Sequence, residues 1–323
     1  MSAGECIIDG TDIATLGMFI ERDGSNDLLV FPSRRTPDTN DWFEEDGLEV
    51  DLSGVTFDAK KVVINYVMLA DNYVVFKQRL SAFENLHNQP ASRSIYIREY
   101  ATTFTLRFQS FVNYDHRGGY YNLTRKRAKI AVEYYIDHPL DMYTGAIGSP
   151  VGPDATFAGV KINAVDLSKY GITVKEVYNT ALKPRSFKNI LVRTAENYPG
   201  QIADDGKITG SLELHTPKRK AKEIAIDCSM TSDTINNLLI NMNALFTVLR
   251  SDIPFTFSHT SEQSLCYYVK MSSFRKETAF ARKVYVSFTL HLQEISWEQL
   301  TRLLTTQSGK AVITQTGQHI ILQ

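Results

Sequence analysis

Several features that organise other small proteins are scarce in this sequence of 323 residues. Its three cysteines, Cys6, Cys228 and Cys266, cannot pair completely and show no C-x-x-C spacing, which excludes a disulfide framework or a zinc ribbon. No run of about 18 apolar residues is present that could span a bilayer. We therefore expect reduced, buried thiols and no membrane-spanning segment.

An excess of charge of one sign is also absent. The 35 lysines and arginines nearly balance the 36 aspartates and glutamates, for a net charge of -1. No overall basic field directs the chain to nucleic acid or to an anionic membrane. The N-terminus lacks the basic segment and apolar stretch of a signal peptide, so we expect a soluble protein that is made and kept in the cytoplasm, at least until assembly.

Aromatic residues are abundant, with 16 tyrosines and 17 phenylalanines, and many of them lie in alternating strings. Alternation with period two places one apolar face on each strand. The sequence therefore predicts a chain rich in β-strands.

The sequence carries an internal repeat. Three segments of the first half match segments of the second in the same order: residues 8–17 with 162–171 at an offset of 154, residues 59–68 with 221–230 at 162, and residues 129–136 with 283–290 at 154. The matched segments keep their order while the offset between them changes. This indicates loops of different length on a common scaffold. We predict a duplication.

Each copy is predicted to contain one helix. Apolar side chains recur at helical spacing in both: Tyr73, Phe76, Leu80 and Phe83 in the first copy, and Ile235, Leu238, Met242 and Leu245 in the second. Asp71 or Asn72 is predicted to cap the first helix, and Ser232 or Asp233 the second.

The predicted fold class is α+β, mainly β, with two tandem β-sandwich or barrel domains that each carry one packed helix. The predicted divisions are a first domain at 1–143, a Gly/Pro-rich linker at 144–158, a second domain at 159–295, and a short helix and hairpin at 296–323. Two hydrophilic connections, 31–46 and 183–205, exceed ordinary loop lengths. We expect them to project as arms that contact another subunit or line a lumen.

The residues show no catalytic, cofactor-binding or metal-binding pattern. G-x-S-x-G, G-x-x-x-x-G-K-[ST] and H-E-x-x-H are missing, and the seven histidines are scattered. We therefore expect a protein that is not an enzyme and holds no cofactor.

Two charged clusters are predicted to form subunit contacts. They are a basic turn (Arg117, Arg125, Arg127 and Lys129) and an acidic run (Glu44, Glu45 and Asp46). Basic residues interleaved with aromatics could also bind nucleic acid, but we do not expect specific nucleic-acid binding.

Residues 41–53, followed by 57–68, resemble the N-terminal segment of distal tail proteins and their tube-like relatives in long-tailed bacteriophages and prophages. The opening residues 8–13 and the ending 313–318 are similar to theirs as well. The resemblance implies a tail-tube-like fold and a ring in the virion that joins the tail tube to the receptor-binding or puncturing apparatus. It implies other tail proteins as partners (tube, hub, tape measure and receptor-binding protein) and no catalysis.

The sequence departs from the usual distal tail pattern because its second half looks like another copy of the first. This leaves two oligomers open, a hexameric ring or a trimeric, pseudo-sixfold hub or tube component. A carbohydrate-binding module is the alternative of another class. Such a module would need clustered exposed tryptophans, and Trp42 and Trp297 lie at dissimilar positions.

Overall fold

The computed structural model describes most of the two predicted copies. The described residues are 5–41, 47–54, 56–112, 121–122, 124, 126–143, 149–151, 158–182, 195–196, 218–259, 262–278 and 283–295. The predicted C-terminal helix and hairpin (296–323) lie outside these ranges. So do most of the linker and most of the second long connection.

The first half contains ten described strands and one α-helix. In chain order they are β1 Cys6–Ile8, β2 Thr11–Asp12, β3 Met18–Ile20, β4 Asp38–Asn40, β5 Glu49–Asp51, β6 Lys60–Leu69, α1 Tyr73–His87, β7 Arg93–Ile97, β8 Thr102–Phe111, β9 Tyr121–Asn122 and β10 Arg127–Ile136.

The second half contains nine described strands and one α-helix. They are β11 Val160–Ile162, β12 Val165–Asp166, β13 Ile172–Asn179, β14 Ala195–Glu196, β15 Lys218–Arg219, β16 Glu223–Ser232, α2 Ile235–Leu249, β17 Phe255–His259, β18 Glu262–Thr278 and β19 Val284–Glu294.

The two large antiparallel sheets have the same strand order. The first runs β2-β1-β7-β8-β10-β6-β3, with β9 added on β10, and the second runs β12-β11-β17-β18-β19-β16-β13. Two small hairpins, β4-β5 and β14-β15, lie outside them. This architecture, with one helix for each sheet, confirms the predicted mainly β, α+β fold class.

The turn that opens each sheet repeats in detail. Asp12 and Asp166 each accept a hydrogen bond from the backbone N–H two residues on, at the start of a 3-10 turn. Gly17 and Gly171 end these turns with φ of 65° and 73°, which glycine adopts without steric cost. A Cβ on Gly17 would also lie 2.9 Å from the Leu69 carbonyl oxygen, so the first copy has a second reason to place glycine here.

Pairing with the next strand fixes the correspondence of the long central strands. Met18, next to Gly17, pairs with Met68, and Ile172, next to Gly171, pairs with Met230. Strands β6 and β16 therefore correspond at an offset of 162, as the sequence predicts.

The predicted alignment of the last strand is wrong by four residues. Tyr66 pairs with Ile130, whereas its counterpart Cys228 pairs with Phe288. Ile130 therefore corresponds to Phe288, at an offset of 158, and not to Val284. An even shift leaves the inward-facing residues inward, so alternation alone could not reveal the error.

The helices are capped by Asn72, whose side chain accepts from Val75 N, and by Thr234, whose side chain accepts from Asn237 N. Asn72 agrees with the prediction. The predicted caps of the second helix, Ser232 and Asp233, are wrong because β16 continues through Ser232 and the chain turns only at Thr234.

The predicted core faces of the helices are largely buried. Leu238, Met242 and Leu245 are buried in α2, and Phe76 and Phe83 are buried in α1. Two members of the α1 face differ: Leu80 is partly buried against the core, and Tyr73 is exposed at 51%. Most of the buried apolar side chains of both halves form one continuous cluster, and a second, small cluster is formed by Leu52, Leu265, Tyr267 and Ile295.

A chain of polar groups crosses the core of the first half. Tyr66 Oη lies 3.2 Å from Tyr134 Oη, and Tyr134 Oη lies 2.6 Å from His87 Nε2. His87 Nδ1 lies 2.8 Å from the Phe83 carbonyl oxygen. Because a carbonyl oxygen only accepts, His87 Nδ1 donates to it and Nε2 accepts from Tyr134. Burial lowers the pKa of His87 to about 4, so the imidazole is neutral.

All three cysteines are free and buried. Burial raises the pKa of the Cys6 thiol to about 12, which makes it unreactive at neutral pH. Within the described ranges, neither α-helix is long and apolar enough to cross a membrane.

Candidate assembly surfaces

The basic turn predicted to make subunit contacts is described only in part. Arg117 and Arg125 lie outside the described residues. Arg127 and Lys129 begin β10, on the same exposed face of the strand. Lys129 forms an ion pair with Glu21 of its own chain, just after β3. The contact of the basic turn with another subunit stays a prediction. Of the two residues of the turn that the structure describes, Lys129 pairs within the chain, and Arg127 is the other.

The acidic run lies in the sequence between two strands that pair with each other. Glu44, Glu45 and Asp46 are outside the described residues, but the flanking strands β4 and β5 form a hairpin, with Thr39 opposite Val50. The predicted pairing between the two clusters of different subunits stays a prediction.

The start of the first long connection is buried and does not project. The Phe31 ring packs at 4.8 Å from the Phe246 ring of α2, and the Tyr143 ring lies 4.3 Å from the same Phe246 ring. Tyr268 Oη of β18 donates to the Pro32 carbonyl oxygen at 3.1 Å. The expectation of an arm over all of 31–46 is therefore wrong for Phe31 and Arg34, because their side chains are buried between the halves.

Arg34 joins the two halves through its backbone and its side chain. Its Nη2 donates to the carbonyl oxygens of Leu249, at 3.2 Å, and Ser251, at 2.7 Å. Its guanidinium lies over the rings of Phe57 and Tyr267, with Cζ 5.6 and 5.7 Å from the ring centres. Desolvation lowers the pKa of Arg34, and nearby Tyr267 opposes that effect. The helix carbonyls and the ring faces supply the negative potential that this buried cation requires.

A β-bulge provides the backbone contact for Arg34. The ladder between β18 and β19 shifts register between Tyr268 and Lys270, which leaves Val269 as the extra residue. The Val269 carbonyl oxygen accepts from Arg34 N at 2.8 Å. The first half has a bulge at the corresponding place in its ladder between β8 and β10. The second copy thus uses a shared irregularity to hold the first copy's connection.

A buried lysine makes a further polar contact between the halves. Lys276 of β18 pairs with Glu99 at 2.5 Å and lies 3.9 Å from Asp23. Its side chain is 2% exposed, and its ammonium lies 5.5 Å from the centre of the Tyr100 ring. Together with Arg34 this contact fixes the two sheets relative to each other.

The solvent-facing surfaces of the two sheets carry different charges at equivalent positions. Lys61 and Glu133 form an ion pair at 2.6 Å in the first half. The counterparts in the second half are Glu223 and His291, whose Oε1 and Nδ1 lie 2.9 Å apart. His291 Nε2 also lies 2.9 Å from Ser272 Oγ. Sequence reasoning missed this group because only strand pairing brings its members together.

Within the described ranges no three His, Cys, Asp or Glu side chains could hold a metal ion. Trp42 and Trp297, on which the carbohydrate-binding alternative depends, lie outside those ranges. Part of the linker is held in place: Asn241 of α2 exchanges two hydrogen bonds with the backbone of Val151, at 2.8 and 3.0 Å.

No protein-family model matches the sequence, and no curated protein matches it. Among solved structures, the chain is similar to the crystal structure of SPP1 Dit (gp 19.1), described as a paradigm of the hub adsorption apparatus in phages that infect Gram-positive hosts. The similarity covers 91% of this chain and 99% of that chain, with 10% identity and a TM-score of 0.34. At these values the likeness does not establish the function or the partners of this chain.

Proposed function

We propose that this chain is a structural protein of a phage tail and forms a ring at the tail tip, between the tube and the receptor-binding or puncturing apparatus. The sequence resemblance of residues 41–53 and 57–68 to distal tail proteins supports this role. The observation that carries it is the presence of two sheets with the same strand order and equivalent pairing in one chain.

Two equivalent sheets in one chain suit a closed ring. Each subunit places similar surfaces twice around the axis, and closed symmetry repeats every contact. Three chains would supply six sheets and form a pseudo-sixfold hub or tube component, whereas six chains would form a hexamer of double subunits. The internal duplication inferred from the sequence is the basis for both arrangements.

The charged clusters are the proposed contacts between subunits. The acidic run, between strands β4 and β5, would meet the basic turn that begins β10 in the next subunit. Such exposed ion pairs contribute about 0–1 kcal/mol each. A ring repeats them around its circumference, and salt screens all of them.

The first experiment is negative-stain microscopy of the purified protein together with native mass spectrometry. We expect class averages with a central hole and a mass of three or six times 36.5 kDa. A protein that stays monomeric at tens of micromolar, and that does not form rings when tail proteins are added, would contradict the proposal. Glycan binding by such a monomer would support the carbohydrate-binding alternative instead.

A deletion in the β4-β5 hairpin tests how the ring forms. Replacing residues 41–46 with Asn-Gly removes the acidic run and leaves Phe31 and Arg34 in the core. It also keeps Leu48, whose backbone N–H donates to the Ile295 carbonyl oxygen at 2.8 Å. We therefore expect an unchanged melting temperature and no rings.

A matched variant separates the effect of charge from the effect of hairpin length, because it removes the charges and keeps the length. It replaces Glu44, Glu45 and Asp46 with Gln, Gln and Asn, and should weaken the rings. Rings that persist in the deletion variant would remove this part of the hairpin from the interface.

A further inference from the structure

Three polar side chains on the outer face of the second sheet form a continuous hydrogen-bonded series. His291 of β19 lies between Glu223 of β16, at 2.9 Å, and Ser272 of β18, at 2.9 Å. Strand β19 pairs with β16 on one side and with β18 on the other. The three residues therefore come from three adjacent strands, and the central histidine holds the series together.

The chemistry of the two ends fixes the tautomer of the histidine. A carboxylate only accepts hydrogen bonds, so His291 Nδ1 donates to Glu223. In the neutral imidazole, His291 Nε2 is then the acceptor of a hydrogen bond from Ser272 Oγ. A serine, a histidine that can take its proton and an acid that orients the histidine are the parts of an activated nucleophile.

The backbone is irregular where the serine lies. The ladder between β18 and β19 shifts register between Ser272 and Arg275, and Ser273 has a φ of 55°. Positive φ is uncommon for a residue with a side chain and is found often at functional sites.

The series also borders a cavity of about 410 Å³. Ser272, Ser273 and His291 line this cavity, together with two cationic side chains, Lys175 and Arg275, and one acidic side chain, Asp227. An ester carbonyl could thus approach the serine next to positive charge, which stabilises an oxyanion.

The first sheet shows that the fold does not require this series. The counterparts of Glu223, His291 and Ser272 there are Lys61, Glu133 and Val112. Lys61 and Glu133 form an ion pair, and a valine at the third position cannot act as a nucleophile. The same surface is therefore built without a serine relay in the other copy.

We propose that Ser272, His291 and Glu223 form a nucleophilic site for short acyl esters of polar alcohols. This inference goes beyond the structural role proposed above and departs from the expectation that the chain is not an enzyme. The cavity volume suits a small acyl group, and its polar and charged lining suits an alcohol that bears hydroxyl groups.

The reaction proceeds in two steps. Ser272 Oγ adds to the ester carbonyl carbon as its proton passes to His291 Nε2. The bond from that carbon to the alcohol oxygen then breaks, and the alcohol leaves with the proton from His291. In the second step water gives a proton to His291 Nε2 and adds to the acyl carbon. The bond to Ser272 breaks, Ser272 recovers the proton, and a carboxylic acid is released.

The test uses the full-length protein, a fluorophosphonate probe and p-nitrophenyl acetate at pH 8. We expect one probe adduct per chain, located by mass spectrometry on the peptide that contains Ser272, and slow ester hydrolysis. Ser272→Ala should abolish both. Glu223→Gln preserves size and should lower the labelling rate at least tenfold, because the amide no longer orients the histidine as a carboxylate does.

Ser110→Ala is the matched control, since Ser110 is an exposed strand serine of the first sheet, opposite Glu133, and lies outside both the series and the cavity; its labelling should equal that of the wild-type protein. Circular dichroism and melting curves show which variants are folded. No adduct on the folded wild-type protein, an adduct that survives Ser272→Ala, or an unchanged rate in folded Glu223→Gln would each overturn the proposal. None of these results depends on ring formation, so the proposed structural role is tested separately.

Discussion

The two halves of the molecule fill the same core positions in two different ways. Strand and helix register place Tyr66, His87 and Tyr134 of the first half over Cys228, Leu249 and Leu292 of the second. All six side chains are buried. The first half connects its three by hydrogen bonds, whereas the second packs a thiol and two leucines. One scaffold therefore accepts either a satisfied polar chain or an apolar cluster, and the two respond differently to acid.

A second equivalent pair shows the same contrast for charge. Lys60 and Lys222 are both buried at the start of the long central strand. Lys60 donates to the Leu28 carbonyl oxygen at 2.8 Å, and burial lowers its pKa to about 7. Lys222 lies 3.9 Å from the buried carboxylate of Glu294, where the first half has Ile136. A carboxylate in one copy and an apolar residue in the other decide how each lysine is accommodated.

The largest effect is expected for Lys222→Met. The change leaves the carboxylate of Glu294 in the core without this cation, which costs about 3–5 kcal/mol. Urea titration followed by fluorescence measures the free energy of unfolding. The double variant Lys222→Met/Glu294→Ile, which copies the first half's residue at the second position, should recover most of the loss. A loss that is equal in the single and double variants would show that the ion pair is not its source.

Tyr134→Phe should come next, at about 2–4 kcal/mol. The substitution removes one hydroxyl but leaves two buried groups, Tyr66 Oη and His87 Nε2, without the partner that each has now, and an orphaned buried group costs about 1–3 kcal/mol. The triple variant Tyr66→Phe/His87→Leu/Tyr134→Phe makes this region apolar, as in the second half. It should be more stable than Tyr134→Phe alone, measured by urea titration at pH 7.5. A triple variant whose loss of stability equals the sum of the losses of the three single variants would contradict the view that the two halves fill equivalent core positions.

Acid should destabilise the protein through His87. Because its pKa is lowered from 6.5 to about 4 in the folded protein, the unfolded chain binds the proton more readily. The free energy of unfolding has its full value, as far as His87 is concerned, above about pH 6.5. It falls by about 3 kcal/mol as the pH falls toward 4. The triple variant lacks this group, so its stability relative to the wild-type protein should rise between pH 7 and pH 4. An unchanged difference would contradict the assigned pKa.

Lys60→Met should show a pH dependence at the alkaline end. The folded pKa of Lys60 is lowered from 10.5 to about 7, so the unfolded chain holds the proton more tightly and the wild-type fold loses stability as the pH falls through this window. The stability of Lys60→Met relative to the wild-type protein should therefore rise by about 3 kcal/mol between pH 10 and pH 7. Parallel stability curves for the two proteins would show that Lys60 keeps its ordinary pKa.

The smallest effect per site concerns the surface. Arg125→Glu/Arg127→Glu should shift rings toward free chains, by about 0–1 kcal/mol at each contact, with no change in melting temperature. Arg107→Glu is the control, because Arg107 lies outside the basic turn and pairs with Asp137 of its own chain; this change should leave assembly as it is. Sedimentation velocity at 50 and 500 mM NaCl measures the share of rings and free chains for both variants. Tight, salt-dependent binding of duplex DNA that the reversal abolishes would favour the nucleic-acid alternative.

Much of the fold was predictable because local signals repeat. The Asp and Gly residues of the opening turns, the alternation of the long strands and the Asn72 cap each have a local physical cause. The last strand was misaligned because period-two alternation is unchanged by a shift of four. The cap of α2 was missed because Ser232, Asp233 and Thr234 are all able to cap, and only the end of β16 selects among them.

The polar groups of the core and the surface could not be found from the sequence. His87 and Tyr134 are 47 positions apart, and His291 and Glu223 are 68 apart. No spacing rule links residues on different helices and strands, because the loops between them vary in length. A single buried histidine in a sequence predicts neither its partner nor its tautomer.

The buried position of Arg34 has a consequence for synthesis on the ribosome. Its carbonyl partners, Leu249 and Ser251, are 215 and 217 residues further along the chain. At about 5–20 residues per second, they emerge roughly 10–45 s after Arg34 does. During that interval the first sheet can pair its own strands, but Phe31 lacks the ring of Phe246 and Arg34 lacks its two carbonyl acceptors. The nascent first half must therefore wait, with this segment exposed, for the second copy to be translated.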